Sequence, residues 1–239
     1  MEVQGFCTGP LPHPTTHARI PMGGRVGEWA GADHLGKGPT GGLMFANMVT
    51  EDARPLLRGR RIYLRPPLAH DWRAWAELRA GSRAFLEPWE PTWPADALSR
   101  FSYRRRLRLY QRDARADMAY SFLVFRNGDD ALLGGITLSN VRRGVTQAAS
   151  AGYWMGLPHA RQGYMAAAIT LVCDWSFGEL GLHRVEAACL PENLPSATLL
   201  RKCGFTEEGY ARKYLRIAGY WRDHLLFAVL EADARPRFD

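Results

Sequence analysis

Hydrophobic and polar residues recur along the chain with two different periods, which predict a mixed fold. Apolar residues three to four positions apart predict helices over residues 70–79, 98–118, 165–177 and 193–203. Short apolar runs predict strands over residues 62–64, 119–126, 131–141, 148–156, 183–190, 210–217 and 221–230. The order of these elements predicts an α/β (α+β) domain whose central, twisted, mostly antiparallel sheet has about seven strands and flanking helices. The strand at 148–156, the helix after it and the strand at 183–190 form the one predicted parallel crossover.

Two short segments carry signals of their own. Asn127-Gly128 predicts a hairpin between the strands on either side of it. Residues 86–94 contain three prolines. Because each proline removes a backbone donor and restricts the residue before it, we expect no regular structure there.

The beginning of the chain differs from the rest. Its first 50 residues hold 10 of the 24 glycines and show no sustained period. Such a stretch cannot bury enough apolar surface to offset the entropy of ordering it. We therefore predict a flexible, Gly/Pro-rich extension over residues 1–57, followed by one domain over 58–239. A true translation start near Met44 is the alternative.

Composition and charge then narrow the class of protein. Hydrophobic residues make up 46% of the chain and charged residues 23%, which is ordinary for a globular protein. The formal net charge of +7 suits anionic partners. Much of this excess lies in the predicted helix at 98–118, which contains seven arginines. Either a solvated helix face or a phosphate-binding, ribosome-facing surface explains them, although we see no aromatic–basic interleaving of the RNA-recognition kind.

The cysteines and the apolar runs bear on metals and membranes. The four cysteines form no CxxC pair and have no histidine at zinc-ligand spacing, so we expect no metal site. Three of them lie in apolar runs, which predicts buried free thiols. No apolar run approaches the ~18 residues of a membrane span, and the N-terminus has no signal-peptide pattern. We therefore expect a cytoplasmic protein, monomeric or homodimeric, without membrane contact.

The junction between the strand at 148–156 and the following helix is the most informative segment for function. Gly163 lies in the loop between them, together with Arg161. A glycine-bearing loop that leads into a helix directs unpaired N–H groups and the positive end of the helix dipole at one point. That arrangement suits a pyrophosphate.

Several motifs resemble those of the GNAT acyltransferase family. Ala160–Met165 is similar to its acyl-CoA loop, Q/R-x-x-G-x-G/A, although the first and last positions differ. Gly152-Tyr153-Trp154 resembles the branch that acetylates ribosomal-protein N-termini, the RimJ/RimL type. Pro191–Ser196, Leu200–Gly209 and Gly219–His224 resemble that branch's P-x-N-x-x-S, K-x-G-F … E-G and G-x-W-x-D-H motifs. These motifs follow one another in order between Gly152 and His224.

The resemblance implies a GNAT fold and acetyl-CoA (coenzyme A) as cofactor. The resemblance also implies that the strand Tyr153–Gly156 splays from its neighbour. Its backbone N–H groups would then face the pantetheine arm and the acetyl carbonyl. The cofactor-binding positions that it implies here are Trp154, Met155, Gly156, Arg161, Gln162, Gly163, Tyr164, Met165, Ala166, Asn193 and Ser196.

Acetyl transfer to an amine needs few special side chains, because most of the rate comes from positioning and electrostatics. The departing thiolate needs a proton, and the resemblance implies Ser196 as its donor. The alternative is that Ser196 only helps to cap the first turn of the helix that begins after Asn193. Glu90 is our candidate base, acting through water, with Glu87 as the other carboxylate of the same loop.

The acceptor is the least constrained feature. The resemblance implies an acceptor pocket lined by Glu87, Trp89, Trp93, Asn140 and Tyr153, although each tryptophan can equally be a packing residue. We expect the N-terminal α-amine of a protein, by resemblance a ribosomal one. A small amine such as an antibiotic, a polyamine or an amino-acid conjugate is the second possibility, and a non-catalytic, ribosome- or RNA-associated module is the third.

Overall fold

The computed structural model describes residues 56–238. The predicted extension at 1–57 lies outside the described residues except for its last two positions, and so does the alternative start at Met44. The described residues form one sheet of eight strands in the order β1-β2-β3-β4-β5-β6-β8-β7. The strands are β1 (Leu57–Arg58), β2 (Ile62–Arg65), β3 (Tyr120–Arg126), β4 (Leu132–Arg142), β5 (Ala148–Met155), β6 (Arg184–Cys189), β7 (Thr206–Ile217) and β8 (Tyr220–Leu230).

Five helices flank this sheet in the described part of the chain: α1 (Trp72–Gly81), α2 (Arg83–Leu86), α3 (Arg100–Arg115), α4 (Tyr164–Gly178) and α5 (Leu194–Lys202). The sheet separates two apolar clusters. The larger contains most of α4 and alternate residues of the central strands, including Phe122 and Val124. The smaller joins Trp75 of α1 and Tyr103 of α3 to Leu123 on the opposite face of β3. Each central strand is therefore covered on both faces.

The predicted architecture is confirmed, with small corrections. The sheet has eight strands instead of about seven, because Leu57 and Arg58 pair with Tyr63 and Leu64 at the edge. Residues 86–94 are not wholly irregular, because Glu87–Trp89 forms a 3-10 turn. Its proline occupies one of the first two positions of the turn, where a missing N–H has no cost.

The parallel strands β5 and β6 pair over a short distance only, and a cleft opens where their pairing ends. The two strands pair only at three positions, ending at Ser150 opposite Glu186. Beyond that point β5 continues along β4 as far as Met155, and β6 continues along β8 as far as Cys189. The strands therefore diverge and leave a cleft between residues 151–155 and the end of β6.

No helix within residues 56–238 combines the length and the hydropathy of a membrane span. The cysteines of the described part of the chain are free and buried, as predicted: Cys173, Cys189 and Cys203. Burial raises the pKa of the Cys173 thiol to about 12 and that of the Cys203 thiol to about 11. Both thiols are therefore un-ionised at neutral pH and behave as small apolar side chains.

His224 of β8 gives the fold a dependence on pH. Its side chain is buried, its Nδ1 lies 3.0 Å from the carbonyl oxygen of Arg222, and its ring packs edge-on against Tyr214. Burial lowers the pKa of His224 below its ordinary value of 6.5. Below pH 6.5 the unfolded chain therefore binds a proton that the folded protein resists, and stability falls as pH falls.

We expect the melting temperature to decrease between about pH 7 and pH 5, and to decrease less in His224→Asn, which keeps a nitrogen near the Arg222 carbonyl. Differential scanning fluorimetry across this range measures both. The control is His183→Asn, at an exposed histidine, which should keep the wild-type decrease. An equal decrease in His224→Asn and wild type would contradict the assignment.

Candidate active site

The loop between β5 and α4 ends in an open helix N-terminus. Arg161 and Gly163 have positive φ angles of 60° and 83°, and Gly163 is the N-cap of α4. No side chain caps this helix, and its first turn contains no acidic residue. The N–H groups of Tyr164, Met165 and Ala166 precede the first helical hydrogen bond, from Ala167 N–H to the Gly163 carbonyl oxygen. These groups and the helix dipole suit a pyrophosphate.

Arginines from distant parts of the chain surround this helix end. The Arg61 guanidinium donates to the Gln162 carbonyl oxygen at 3.1 Å and lies 4.5 Å from the centre of the Tyr164 ring. A hydrogen bond from Arg126, and a smaller effect of Arg61, lower the pKa of the Tyr164 phenol. The Gln162 side chain donates to the Pro158 carbonyl oxygen at 2.9 Å and holds the loop together. Arg61 therefore adds positive charge beside the loop, which suits a phosphate site, whereas Arg126 is paired with Asp129.

Two of the predicted cofactor positions need correction. The Gly156 N–H donates to the Leu133 carbonyl oxygen at 2.8 Å, so it is not free for a ligand. A Cβ at Gly156 would meet Leu78 at 2.4 Å, which makes this glycine a packing requirement of α1. The Trp154 side chain points into the smaller cluster, away from the large one against which Met155 packs. Trp154 therefore offers the cleft only its backbone.

A hydrogen bond crosses the cleft between the diverging strands. The Tyr153 hydroxyl of β5 lies 2.8 Å from the Ser196 Oγ of α5, and either atom can donate. Asn193 caps α5, because its Oδ1 accepts from the Ser196 N–H at 3.1 Å. Burial raises the pKa of the Tyr153 phenol, so it is protonated at neutral pH. Ser196 thus has the predicted capping contact through its backbone, while its hydroxyl remains engaged with Tyr153.

This pair can deliver a proton into the cleft. Both hydroxyls are weak acids, and burial makes Tyr153 weaker still, but a second hydroxyl that donates to the first stabilises the charge that develops as the proton leaves. Burial also raises the pKa of the nearby Cys189 thiol, so Cys189 adds no negative charge that would oppose this transfer. The structure thus places Tyr153, predicted as an acceptor residue, beside the predicted proton donor.

A cavity lies on the opposite face of the sheet from α4. Trp93, Glu90 and Trp154 line it, together with Arg79 of α1 and the inner face of α3. Arg79 is buried, and its guanidinium lies 4.4 Å from the centre of the Trp93 ring and 4.8 Å from that of Trp154. The indole of Trp154 fits there because a Cβ at Gly135 would meet its Nε1 at 2.6 Å.

The Glu90 carboxylate in this cavity already has two side-chain partners. Its Oε2 pairs with the Arg79 guanidinium and accepts from Trp93 Nε1 at 2.8 Å. Because removing one partner of a largely buried ion pair leaves the other charge uncompensated, the role that these contacts give Glu90 is to position Arg79 and Trp93. These contacts oppose the predicted role of Glu90 as a base.

The other predicted acceptor residues lie elsewhere. Trp89 packs against a small cluster of Leu190, Leu215 and Ile217 and does not line the cavity. Glu87 accepts from Arg83 Nε at 2.7 Å on an exposed turn. Asn140, with a φ of 51°, lies in the bulge of β4 beyond Ser139, which pairs with Ser150 where the strands begin to diverge. Asn140 does not line the cavity either.

Sequence reasoning missed Arg61, Arg79 and Arg126. Arg79 had a usable signal, because it lies four residues after Trp75 and therefore on the buried face of the same helix. Arg61 and Arg126 had none, since only the pairing of β2 with β3 brings them to the loop.

Comparison with known proteins agrees with this geometry. The family model described as acetyltransferase (GNAT) domain matches residues 61–206. The chain belongs to the GNAT family. A probable N-acetyltransferase of Bacillus subtilis, YjcK, is 38% identical over 74% of this chain and 98% of its own length. The [ribosomal protein uS5]-alanine N-acetyltransferase of Escherichia coli is 34% identical over 71% of this chain and 88% of its own.

A solved GNAT structure is similar as well. RimJ of Mycobacterium smegmatis in complex with CoA-disulfide has a TM-score of 0.69 and 33% identity, covering 74% of this chain and 87% of that one. The protein is therefore an acetyl-CoA-dependent N-acetyltransferase of the RimJ/RimL type. The open helix N-terminus and the cleft fit that cofactor, and the prediction of a module without catalysis is wrong.

Gly163→Val tests the loop. A β-branched residue is strained at a φ of 83°, and its side chain would crowd the N–H groups of the first helical turn. We expect the Kd for acetyl-CoA, measured by isothermal titration calorimetry, to rise at least about tenfold, which is ~1.4 kcal/mol.

The matched control is Gly144→Val, at a positive-φ glycine of the β4–β5 connection with open space around it. It should lose a similar amount of stability and keep the wild-type affinity. Unchanged affinity in Gly163→Val, or equal weakening in both variants, would refute the proposed pyrophosphate position.

Tyr153→Phe tests the hydroxyl pair. The variant keeps the buried ring and removes the bond to Ser196, so we expect kcat to fall by about 10²-fold with little change in KM for acetyl-CoA. Ser196→Ala should lose a similar factor, and the double variant no more than either alone, because the two hydroxyls act as a unit.

Steady-state release of free CoA measures these rates, with Tyr63→Phe as control. The Tyr63 hydroxyl bonds Asp130 at 3.0 Å on the surface, and its removal should leave kcat unchanged. Fully multiplicative losses in the double variant would show that Tyr153 and Ser196 act independently.

Proposed function

We propose that this enzyme acetylates the N-terminal α-amine of a ribosomal protein. The observation that carries the proposal is the charge of the cavity. Among the described residues that line it, Glu90 is the only carboxylate, and it is paired with Arg79. Arg106 adds a second guanidinium to the lining. A cavity with this balance favours a neutral amine over a protonated one.

The ordinary pKa values of amines then select among acceptors. An α-amine titrates near ~8 and a lysine amine near ~10.4, so the neutral fraction at physiological pH is roughly 10²-fold larger for the α-amine. A site with no free carboxylate to remove a proton depends on that fraction. Polyamines and aminoglycoside-type antibiotics carry several positive charges, and the net positive charge of the lining opposes their entry.

The roles of the residues follow from the positions described above. In acetyl transfer an amine replaces the sulfur at the acetyl carbonyl carbon; the nitrogen gives up one proton and the sulfur takes one up. Residues 151–155 of β5 present backbone N–H groups at the cleft, which suit a developing oxyanion. The Tyr153–Ser196 pair donates the proton, and Trp93 with Arg79 forms the wall against which the acceptor lies.

The relatives support a ribosomal acceptor. The Escherichia coli relative is a [ribosomal protein uS5]-alanine N-acetyltransferase, and its similarity extends over 88% of its length. The choice of acceptor resides in loops as well as in the fold, so we treat the ribosomal substrate as a proposal and not as a consequence of family membership.

Peptides that match the N-termini of the host's ribosomal proteins, uS5 among them, test the proposal. Each peptide contains one internal lysine, and a copy with a blocked α-amine serves as its control. We expect acetylation of the α-amine alone, located by fragmentation mass spectrometry, and a rate that rises toward pH 8.

Two results would contradict the proposal. One is acetylation of the blocked copy on lysine at the rate of the free peptide. The other is a kcat/KM for spermidine that exceeds those of all the peptides, which would establish the small-amine alternative.

A further inference from the structure

The outer face of α3 is strongly basic and has no assigned role. The sixteen residues of α3 include seven arginines and a single carboxylate, Asp113. The helix therefore contributes a net charge of +6, against a formal +7 for the whole chain. Because charges elsewhere nearly cancel, the positive field of the protein is concentrated on this one element.

The arginines are arranged along one side of the helix. At 3.6 residues per turn, Arg104, Arg108 and Arg115 lie within about 40° of one another around the axis. All three are exposed, and so is Arg105 beside them. The 1.5 Å rise per residue places Arg104 and Arg115 about 16 Å apart along the helix. We call Arg104, Arg108 and Arg115 the arginine stripe.

Within residues 56–238 no carboxylate neutralises the arginine stripe. Of the ion pairs among residues 56–238, only that of Arg112 with Asp113 involves α3, and Arg104, Arg105, Arg108 and Arg115 take part in none. A structural role for these side chains would place carboxylates opposite them, as the chain does for Arg126 and Arg184. Their exposure, with no ion-pair partner among the described residues, indicates an external anion.

The composition of the surface favours a nucleic-acid phosphate backbone over an acidic protein. A protein–protein interface is built around an apolar core, and the exposed face of α3 offers almost no apolar surface for one. Its one exposed large hydrophobic residue is Phe101, which is 68% exposed in the first turn. A guanidinium matches phosphate oxygens bidentately, and a nucleic-acid backbone offers such anionic groups at far higher density than the acidic side chains of a protein partner.

The inner face of the same helix lines the acceptor cavity. Tyr103, Arg106 and Tyr110 belong to both α3 and the cavity wall. A ligand on the arginine stripe is therefore separated from the cavity by one helix, which is about 10–12 Å across with its side chains. An extended chain crosses that distance in about four residues.

We propose that the arginine stripe binds the phosphate backbone of RNA and so holds a ribonucleoprotein acceptor with its protein N-terminus beside the cavity. The placement of the acceptor rests on the proposed function, whereas the binding of RNA to the arginine stripe does not depend on it. Phosphate contacts of this kind position a partner and carry no sequence information.

A charge-reversal variant tests the contact: Arg104→Glu, Arg108→Glu and Arg115→Glu together. The matched control reverses three exposed basic residues on other elements, Arg73→Glu, Arg212→Glu and Arg237→Glu. Both variants change the net charge equally, so a non-specific field effect would weaken both. Binding of acetyl-CoA with wild-type affinity verifies that each variant is folded.

Fluorescence anisotropy with a labelled RNA hairpin, titrated at several salt concentrations, measures the contact. We expect log K of the wild type to fall linearly with log[salt], and the slope to decrease in magnitude by about 2–3 in the stripe variant. At about 0.1 M salt its affinity should be about 10²-fold lower. The control variant should stay within a few-fold of wild type.

Two results would overturn the proposal: equal loss in the stripe and control variants, or tighter binding of polyglutamate than of the RNA hairpin. Acetylation of free peptides separates this proposal from the proposed function. The stripe variant should keep the wild-type kcat/KM on a free peptide, and lose it on the same N-terminus presented in a ribosomal particle. If no peptide is acetylated but RNA binding depends on the stripe, the RNA-binding proposal is supported and the proposed acceptor is wrong.

Discussion

The rest of the site depends on the point at which β5 and β6 stop pairing. Backbone N–H and C=O groups that are buried must find partners, and beyond Ser150 the edge of β5 that faces β6 has lost its neighbouring strand. An extended amide-bearing ligand can take the place of that strand. The same divergence brings Ser196 of α5 opposite Tyr153 and directs the end of β5 into the loop that opens α4. The cleft, the Tyr153–Ser196 pair and the open N-terminus of α4 are thus consequences of one interrupted ladder.

The second determinant is the buried charge on the other face of the sheet. Arg79 is stacked among tryptophans and neutralised by Glu90, so the wall of the cavity proposed for the acceptor is fixed by one ion pair. That pair removes a carboxylate from the chemistry and leaves the cavity short of negative charge. Under the proposed function, selectivity for a weakly basic amine follows from ordinary amine pKa values and needs no dedicated base. Catalysis by positioning and hydrogen bonding, as opposed to strong acid–base groups, is consistent with this arrangement.

Local patterns predicted the fold well, because strand and helix periods, the Asn193 cap and the glycine loop are properties of neighbouring residues. Gly163 was found this way, and it lies where the sequence placed it. Contacts between distant segments were not predictable. The commitment of Glu90 to Arg79, the use of the Gly156 N–H by Leu133 and the packing of Trp89 arise from tertiary structure. Motif resemblance implied a pocket from Pro/Trp-loop residues without revealing which side of the backbone each of them occupies.

Hydrogen–deuterium exchange of residues 151–155 tests the interrupted ladder most directly. Amides at an open strand edge exchange with solvent, and a ligand that replaces the missing strand protects them. We predict that saturating acetyl-CoA slows exchange in a peptide covering 151–155 and in the first turn of α4, while β3 is unchanged. Protection of α4 without any change at 151–155 would contradict the account, because the cofactor would then bind without using the cleft.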